Sequence, residues 1–249
     1  MTSRLSAKSE EKTERVLKPS KATRVSIVWR KLKKSKLAVA GFGIVLLVSV
    51  VALLAPVIAP YDLEWRGYKI RPPSMEHWLG TDDMGRDMFS LVIYGARISL
   101  YVGLGAVLIE VLVGLGIGMI AGYFGGKIDE ILMRITDVVL TLPILMLLIL
   151  AVSMFEVRSI HIIVMVMGLL GWPFMARVVR SEFLSLREST FVEAAISMGA
   201  TSWRIIVRHI LPNILSTIIV LATMDIAWYI LYEATLTFLG FGDPSLPSW

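Results

Sequence analysis

The chain contains no cysteine, which excludes disulfides, cysteine-ligated zinc and thiol catalysis and leaves the redox compartment open. It has three histidines, His77, His161 and His209, none deep in an apolar run, so a histidine proton relay across a membrane finds little support. No GxxxxGK followed by Ser or Thr occurs, so there is no phosphate cradle of the P-loop type. The apolar runs lack the polar alternation of a membrane barrel strand. No soluble-type internal repeat occurs, and no small-x-small cleavage site follows the first apolar run.

What is present is grease. Apolar residues make up 56% of the 249 residues and the mean hydropathy is +0.72. A bilayer core of roughly 30 Å asks for about 20 consecutive apolar residues in a helix. Five runs qualify, near residues 37–59, 98–123, 131–154, 160–179 and 210–238. Backbone polar groups cannot stay unpaired in lipid, so these runs read as helices and the chain as an all-α integral membrane protein.

Charge orients the spans. The first 36 residues carry twelve Lys or Arg against three Glu, which places the N-terminus in the cytoplasm as an uncleaved anchor. Residues 60–97, with five basic and six acidic side chains, then lie outside, and residues 180–209 lie inside. Residues 1–30 form a basic tail, polar enough over 1–24 to read as disordered. Lys31, Lys33, Lys34 and Lys36 fall at the anionic inner leaflet, where each contributes on the order of 1 kcal/mol; setting topology is the plainer account of them.

Between residues 77 and 100, Met84, Met88, Leu91 and Val92 recur at helical spacing. Asp82 and Asp83 stand where caps and first-turn acids open a helix, which predicts an interfacial elbow entering the second span. A metal site from Asp82, Asp83 and Asp87 is the alternative, but acids at a helix start more often cap it.

Within the spans, Gly114, Gly118 and Gly122 form a stripe where a neighbouring helix can approach, and Glu110 lies one turn earlier on it. A carboxylate in lipid is costly, so Glu110 is a candidate for the translocation path, with a hydrogen-bonded structural carboxylate as the plainer role. Asp225 and Glu233, eight apart in the last run, differ by about 80° on a helix and could line one broad face with it. Arg134 and Asp137, three apart, read as a local pair. Pro143 and the cluster Gly168, Gly171, Trp172 and Pro173 interrupt two spans, as kinks or as passages.

The segment FVEAAISMGATSWRIIVRHILPNI, residues 191–214, is neither span nor slack linker. Thr190 and Glu193 have capping-box spacing, Gly199 stops the short helix, and Phe191, Ala194, Ala195 and Met198 share a small-residue apolar face. A second helical stretch, Trp203 to His209, carries Arg204 and Arg208. Resting on headgroups is one reading; alanines bury little area, and small residues favour docking into a protein cleft.

Glu193-Ala194-Ala195, then Gly199, then Ile210-Leu211-Pro212 resembles the EAA loop of permease subunits of ABC importers. His209 stands where the usual pattern has an apolar residue. RHILPN at 208–213, GTDDMGRDMFSLVIYGARISL at 80–100 and YEATLTFLGFGDPSLPSW at 232–249 resemble the dipeptide and oligopeptide branch of that family. The resemblance implies a type I importer transmembrane domain over 31–249, with a coupling loop at 181–212 whose short helix docks on an ATPase. It implies a transport subunit rather than an enzyme, binding no cofactor itself, with ATP and Mg used by the partner ATPase. The implied partners are a second related permease, two cytoplasmic ATPases, an extracytoplasmic solute-binding protein and membrane lipid, with no nucleic acid. Peptides are the implied cargo, with nickel or oligosaccharides as alternatives; a stand-alone ion-coupled carrier using Glu110, Asp225 and Glu233, or a non-transporting scaffold, are the readings outside the family. Its permeases carry a sixth core span after the PSW segment, so with five spans visible the chain reads as truncated at Trp249.

Overall fold

The computed structural model describes residues 35–243 and 246–247. The tail at 1–30 and Lys31, Lys33 and Lys34 lie outside them. The chain divides into two compact units, Met1–Val50 and Val51–Trp249.

The first unit contributes most of α1, Lys36–Leu53. This helix is apolar on every side, with a mean hydropathy of 2.4 over its window and Leu37, Ile44 and Leu47 exposed. A helix that is hydrophobic all round suits a bilayer.

The second unit is a helical bundle; among the described residues there is no strand, only an isolated bridge between Thr81 and Asp87. Its helices are α2 (Ala55–Ile58), α3 (Met88–Phe124), α4 (Gly126–Leu140), α5 (Ile144–Ser153), α6 (Ile160–Arg187), α7 (Thr190–Ser197), α8 (Ser202–Arg204), a π segment Ile205–Ile210, and α9 (Leu211–Phe238). Among the described residues four helical stretches, α1, α3, α6 and Ser202–Phe238, are each long and apolar enough to cross a membrane, and the α4–α5 pair makes a fifth if taken as one span. The protein is an all-α, multi-pass membrane protein.

That fifth run departs from the continuous span expected over 131–154. The chain bends by 86° between α4 and α5. Pro143 disfavours helical backbone at Leu142 and supplies no N–H, so the helix stops there and restarts at Ile144 with Pro143 as its cap. Pro173 has the same chemistry yet stays inside α6. The difference is tertiary, since α6 is sandwiched in the bundle.

Helices α3 and α6 are the antiparallel spine. Small residues let them approach: a Cβ on Gly118 would meet the Ala176 carbonyl oxygen at 2.6 Å, and one on Gly122 the Arg180 carbonyl oxygen at 2.8 Å. The contact is reciprocal, because a Cβ on Gly168 of α6 would meet the Ala106 carbonyl oxygen at 2.7 Å. Gly168 therefore marks helix packing rather than a passage.

Cross-bundle bonds fix which ends adjoin. Tyr101 Oη and His161 Nδ1, 2.6 Å apart, join the early part of α3 to the start of α6. Arg158 donates to the carbonyl of Gly240 at 2.5 Å, bringing the end of α9 to the same side. At the opposite end, Arg180 of α6 donates to Asp129 of α4 through both Nε and Nη2. The α4–α5 pair thus carries the chain from one end of the bundle to the other despite its bend.

Asp137 pairs with Arg177 of α6 at 2.6 Å, not with Arg134 as the local spacing suggested. Asp129 and Asp137 both meet arginines of α6, so α4 runs along that helix, and an arginine on the facing helix wins over one on its own.

Candidate functional site

Two places concentrate chemistry, a cavity inside the bundle and the loop between α6 and α9. The cavity, of about 400 Å³, is walled by the α4–α5 bend (Leu140, Leu142, Ile144), by α6 around Gly171 and Pro173, and by α9. Its polar lining includes Glu110, Asp225, Tyr229 and Tyr232, with Trp228 beside them.

The sequence dictates this convergence. Asp225, Tyr229 and Tyr232 are spaced by four and three, one face of α9. Glu110 reaches the same space from α3, and its side chain is almost fully enclosed, the residue being 2% exposed. The Tyr229 hydroxyl lies beside the Glu110 carboxylate. Gly171 makes room for it, since a Cβ there would meet Tyr229 Cζ at 3.0 Å and Glu110 Cδ at 3.6 Å. Glu110 Oε2 and Asp225 Oδ2 are buried and have no hydrogen-bond partner among the described residues. Buried polar atoms without a partner are rare and ask for an explanation.

Glu110 and Asp225 come together, but Glu233 does not join them. It is 1% exposed, accepts a hydrogen bond from Thr237 at 2.9 Å, and does not line the cavity. The 80° between Asp225 and Glu233 is enough to turn the second carboxylate into another helix contact. Tyr229 and the role of Gly171 were missed from the sequence; the spacing of Tyr229 one turn after Asp225 is the signal that could have found it.

In the 60–87 segment the acids also behave differently from the expectation. Asp87, not Asp82 or Asp83, caps α3, accepting from Ser90 N at 2.8 Å, so Met84 precedes the helix and the elbow is simply the first turns of α3. Asp87 also holds His77 at 2.9 Å in a buried pair. Asp82 accepts from Met84 N and Arg86 N and pairs with Arg86 Nε at 2.7 Å. Burial pushes the Asp82 carboxyl up, but the backbone and side-chain bonds from Arg86, its charge and the Met84 bond outweigh this and hold it below the ordinary carboxylate range. Both acids are thus committed to protein partners, and no group of three metal-type ligands occurs among the described residues.

The α6–α9 loop is built around α7. Its cap is Ser189, and no side-chain cap bond forms, so the Thr190–Glu193 capping box is absent. The Ser189 hydroxyl instead donates to the Leu186 carbonyl, which closes the turn out of α6 and starts α7 one residue early. Gly199 ends it at φ +79, with Ala200 N–H donating to the Ala195 carbonyl and Gly199 N–H to the Ile196 carbonyl. This pair of bonds is the Schellman stop that favours glycine.

The expected apolar face splits. Val192 and Ala195 are buried with Phe183, Ile205, Ile210 and Ile214, whereas Phe191 (40% exposed), Ala194 and Met198 (79%) face outward, and so does Glu193. Ala195 and Ile210 therefore fasten the loop to its own bundle, Leu211 is half-buried, and Pro212 is exposed. Pro212 has no N–H to give the Arg208 carbonyl. The helix widens into the π segment just before it, and Asn213 Nδ2 donates to the His209 carbonyl at 2.6 Å.

Residues 114–248 match the family described as binding-protein-dependent transport system inner membrane component, and residues 23–73 match the N-terminal TM domain of oligopeptide transport permease C. The chain is 41% identical over 224 residues to the dipeptide transport system permease protein DppC of Bacillus subtilis (strain 168), covering 89% of this chain and 70% of that one. It is 37% identical over 222 residues to the oligopeptide transport system permease protein OppC of the same organism, covering 88% and 72%. It is 40% identical over 225 residues to the glutathione transport system permease protein GsiD of Pectobacterium atrosepticum, covering 89% and 74%.

Proposed function

This chain belongs to the binding-protein-dependent transport system inner membrane components, and from that premise we propose that it forms one transmembrane half of an ATP-driven importer of peptides. It is a transport permease, not an enzyme. The observation that carries the coupling role is α7: a short helix riveted to the bundle by Val192 and Ala195 while Phe191, Ala194 and Met198 stand free. A cytoplasmic ATPase docks on that face, with the N-terminus and the α6–α9 loop on the cytoplasmic side.

ATP and Mg belong to the ATPase, which supplies the hydrolysis this chain's sequence has no P-loop to perform. Two ATPases, a second related permease and an extracytoplasmic solute-binding protein complete the assembly. The coupling loop spans residues 181–212 within a transmembrane domain over 31–249. Glu193, Ala194 and Gly199 shape the docking helix; Ala195, Ile210 and Leu211 tie it to the core; Pro212 sets the π segment that passes its movement to α9. ATP binding shifts the spans between inward and outward access only if α7 docks differently in the two states. Glu110 and Asp225 line the path.

Peptide cargo rests on the relatives named for dipeptide, oligopeptide and glutathione transport. The test is uptake of a labelled dipeptide by proteoliposomes holding the assembled importer. Uptake that requires both ATP and the solute-binding protein is expected; uptake driven by a proton or sodium gradient through this chain alone would replace this reading with an ion-coupled carrier.

A further inference from the structure

Resting on the peptide reading, we infer that the cavity between α3, α6 and α9 holds a subsite for a protonated primary amine, the α-amino group of the translocated peptide. The geometry supplies what such a group needs. Glu110 Oε2 and Asp225 Oδ2 are both buried and unpartnered among the described residues, and both residues line one cavity of about 400 Å³. An ammonium is a compact cation with hydrogens to place on acceptors, and two carboxylates on the walls of one cavity provide them. Trp228, Tyr229 and Tyr232 line the same cavity, and aromatic faces attract a desolvated cation as well.

Two features separate this from a structural pair. A structural carboxylate inside a membrane bundle finds a cation or a set of donors, and here only the Tyr229 hydroxyl is offered. Arg177 pairs with Asp137 and Arg180 with Asp129, and no Arg or Lys lines the cavity. A metal ion is disfavoured by the donor count, because two carboxylates lack the third His, Asp or Glu that would complete a ligand set among the described residues. Two acids sharing a cavity also favour a cation over the free carboxylate of the same peptide, so the solute would travel past this point with its amino end against α3 and α9.

The experiment uses the assembled importer in lipid nanodiscs without the solute-binding protein, and measures calorimetric binding of alanyl-alanine, N-acetyl-alanyl-alanine and propylammonium. Alanyl-alanine and propylammonium should bind at least about tenfold more tightly than the acetylated peptide, the scale of one charge-assisted hydrogen bond. Glu110→Gln and Asp225→Asn should each erase that preference and Glu110→Asp should restore part of it. If Glu110→Gln fails to assemble, Asp225→Asn and the wild-type acetylation comparison carry the test. Equal binding of the acetylated and free peptides, no detectable binding of either amine, or a preference unchanged in Asp225→Asn would overturn the inference. Propylammonium binding that needs both carboxylates, in an importer that takes up no peptide, would support the amine site and remove only the peptide reading. Peptide uptake with no amine preference would do the reverse.

Discussion

Arg180 on α6 and Asp129 in the first turn of α4 form a two-pronged ion pair, Nε and Nη2 each donating to one carboxylate oxygen. Their side chains are only 30% and 16% exposed, against 50% and 55% for Arg177 and Asp137 nearby. Asp129→Asn strands a partly buried guanidinium, and loss of a bond to a charged group is worth about 2 kcal/mol. The exposed pair is worth less than about 1 kcal/mol. Thermal unfolding of the detergent-solubilised protein should therefore drop clearly for Asp129→Asn and little for Asp137→Asn.

The glycine stripe gives a sharper contrast. Gly118 has the Ala176 carbonyl where a Cβ would go, while Gly116, two residues away, has nothing within 4 Å. Overpacking a closed helix contact costs about 1–3 kcal/mol or more. Gly118→Val should lower the yield of monodisperse protein in size-exclusion chromatography, and Gly116→Ala should leave it unchanged.

Much of this was legible in the sequence, and the failures share one cause. Long apolar runs, the Gly114-Gly118-Gly122 stripe and the Gly199 stop depend on local spacing, so they could be read directly. Whether Pro143 bends the chain while Pro173 does not depends on which neighbours satisfy the freed carbonyls, and no window of sequence contains those neighbours. Asp137 choosing Arg177 over Arg134, and Glu110 meeting Asp225 rather than Glu233, are likewise choices made across helices. The cap at Ser189 was missed for a smaller reason: its hydroxyl closes the turn from α6 by donating to the Leu186 carbonyl, and α7 starts without a side-chain cap bond.

Gly199 sits at φ +79 with open space around it, so a side chain there meets strain and no clash. Gly199→Ala should cost about 1 kcal/mol, the usual penalty for a Cβ in left-handed backbone. Hydrogen exchange should show faster opening of residues 190–198 in that variant, with α3 unaffected.

Asp82 provides a pH test. Its carboxyl lies below the ordinary range in the folded chain, so its contribution is full above the unfolded value and is lost as pH falls through the folded one. The 67–86 turn, closed by Gly67 N–H to the Gly85 carbonyl and Ile70 N–H to the Asp82 carbonyl, should loosen only in that acid window. Tryptophan fluorescence followed from about pH 5 to about pH 2 should show a transition that Asp82→Asn lacks; identical titrations would contradict the role given to this acid.

The proposed coupling role of α7 has a direct measurement. The ATPase is co-purified with wild-type chain and with Ala194→Arg and Glu193→Arg, both on the exposed face, while membrane insertion is checked by fractionation. An interface of this kind concentrates its energy in few residues, so retained ATPase should fall by at least about tenfold in the variants. ATPase retained at the wild-type level in both, with normal insertion, would contradict docking through this helix.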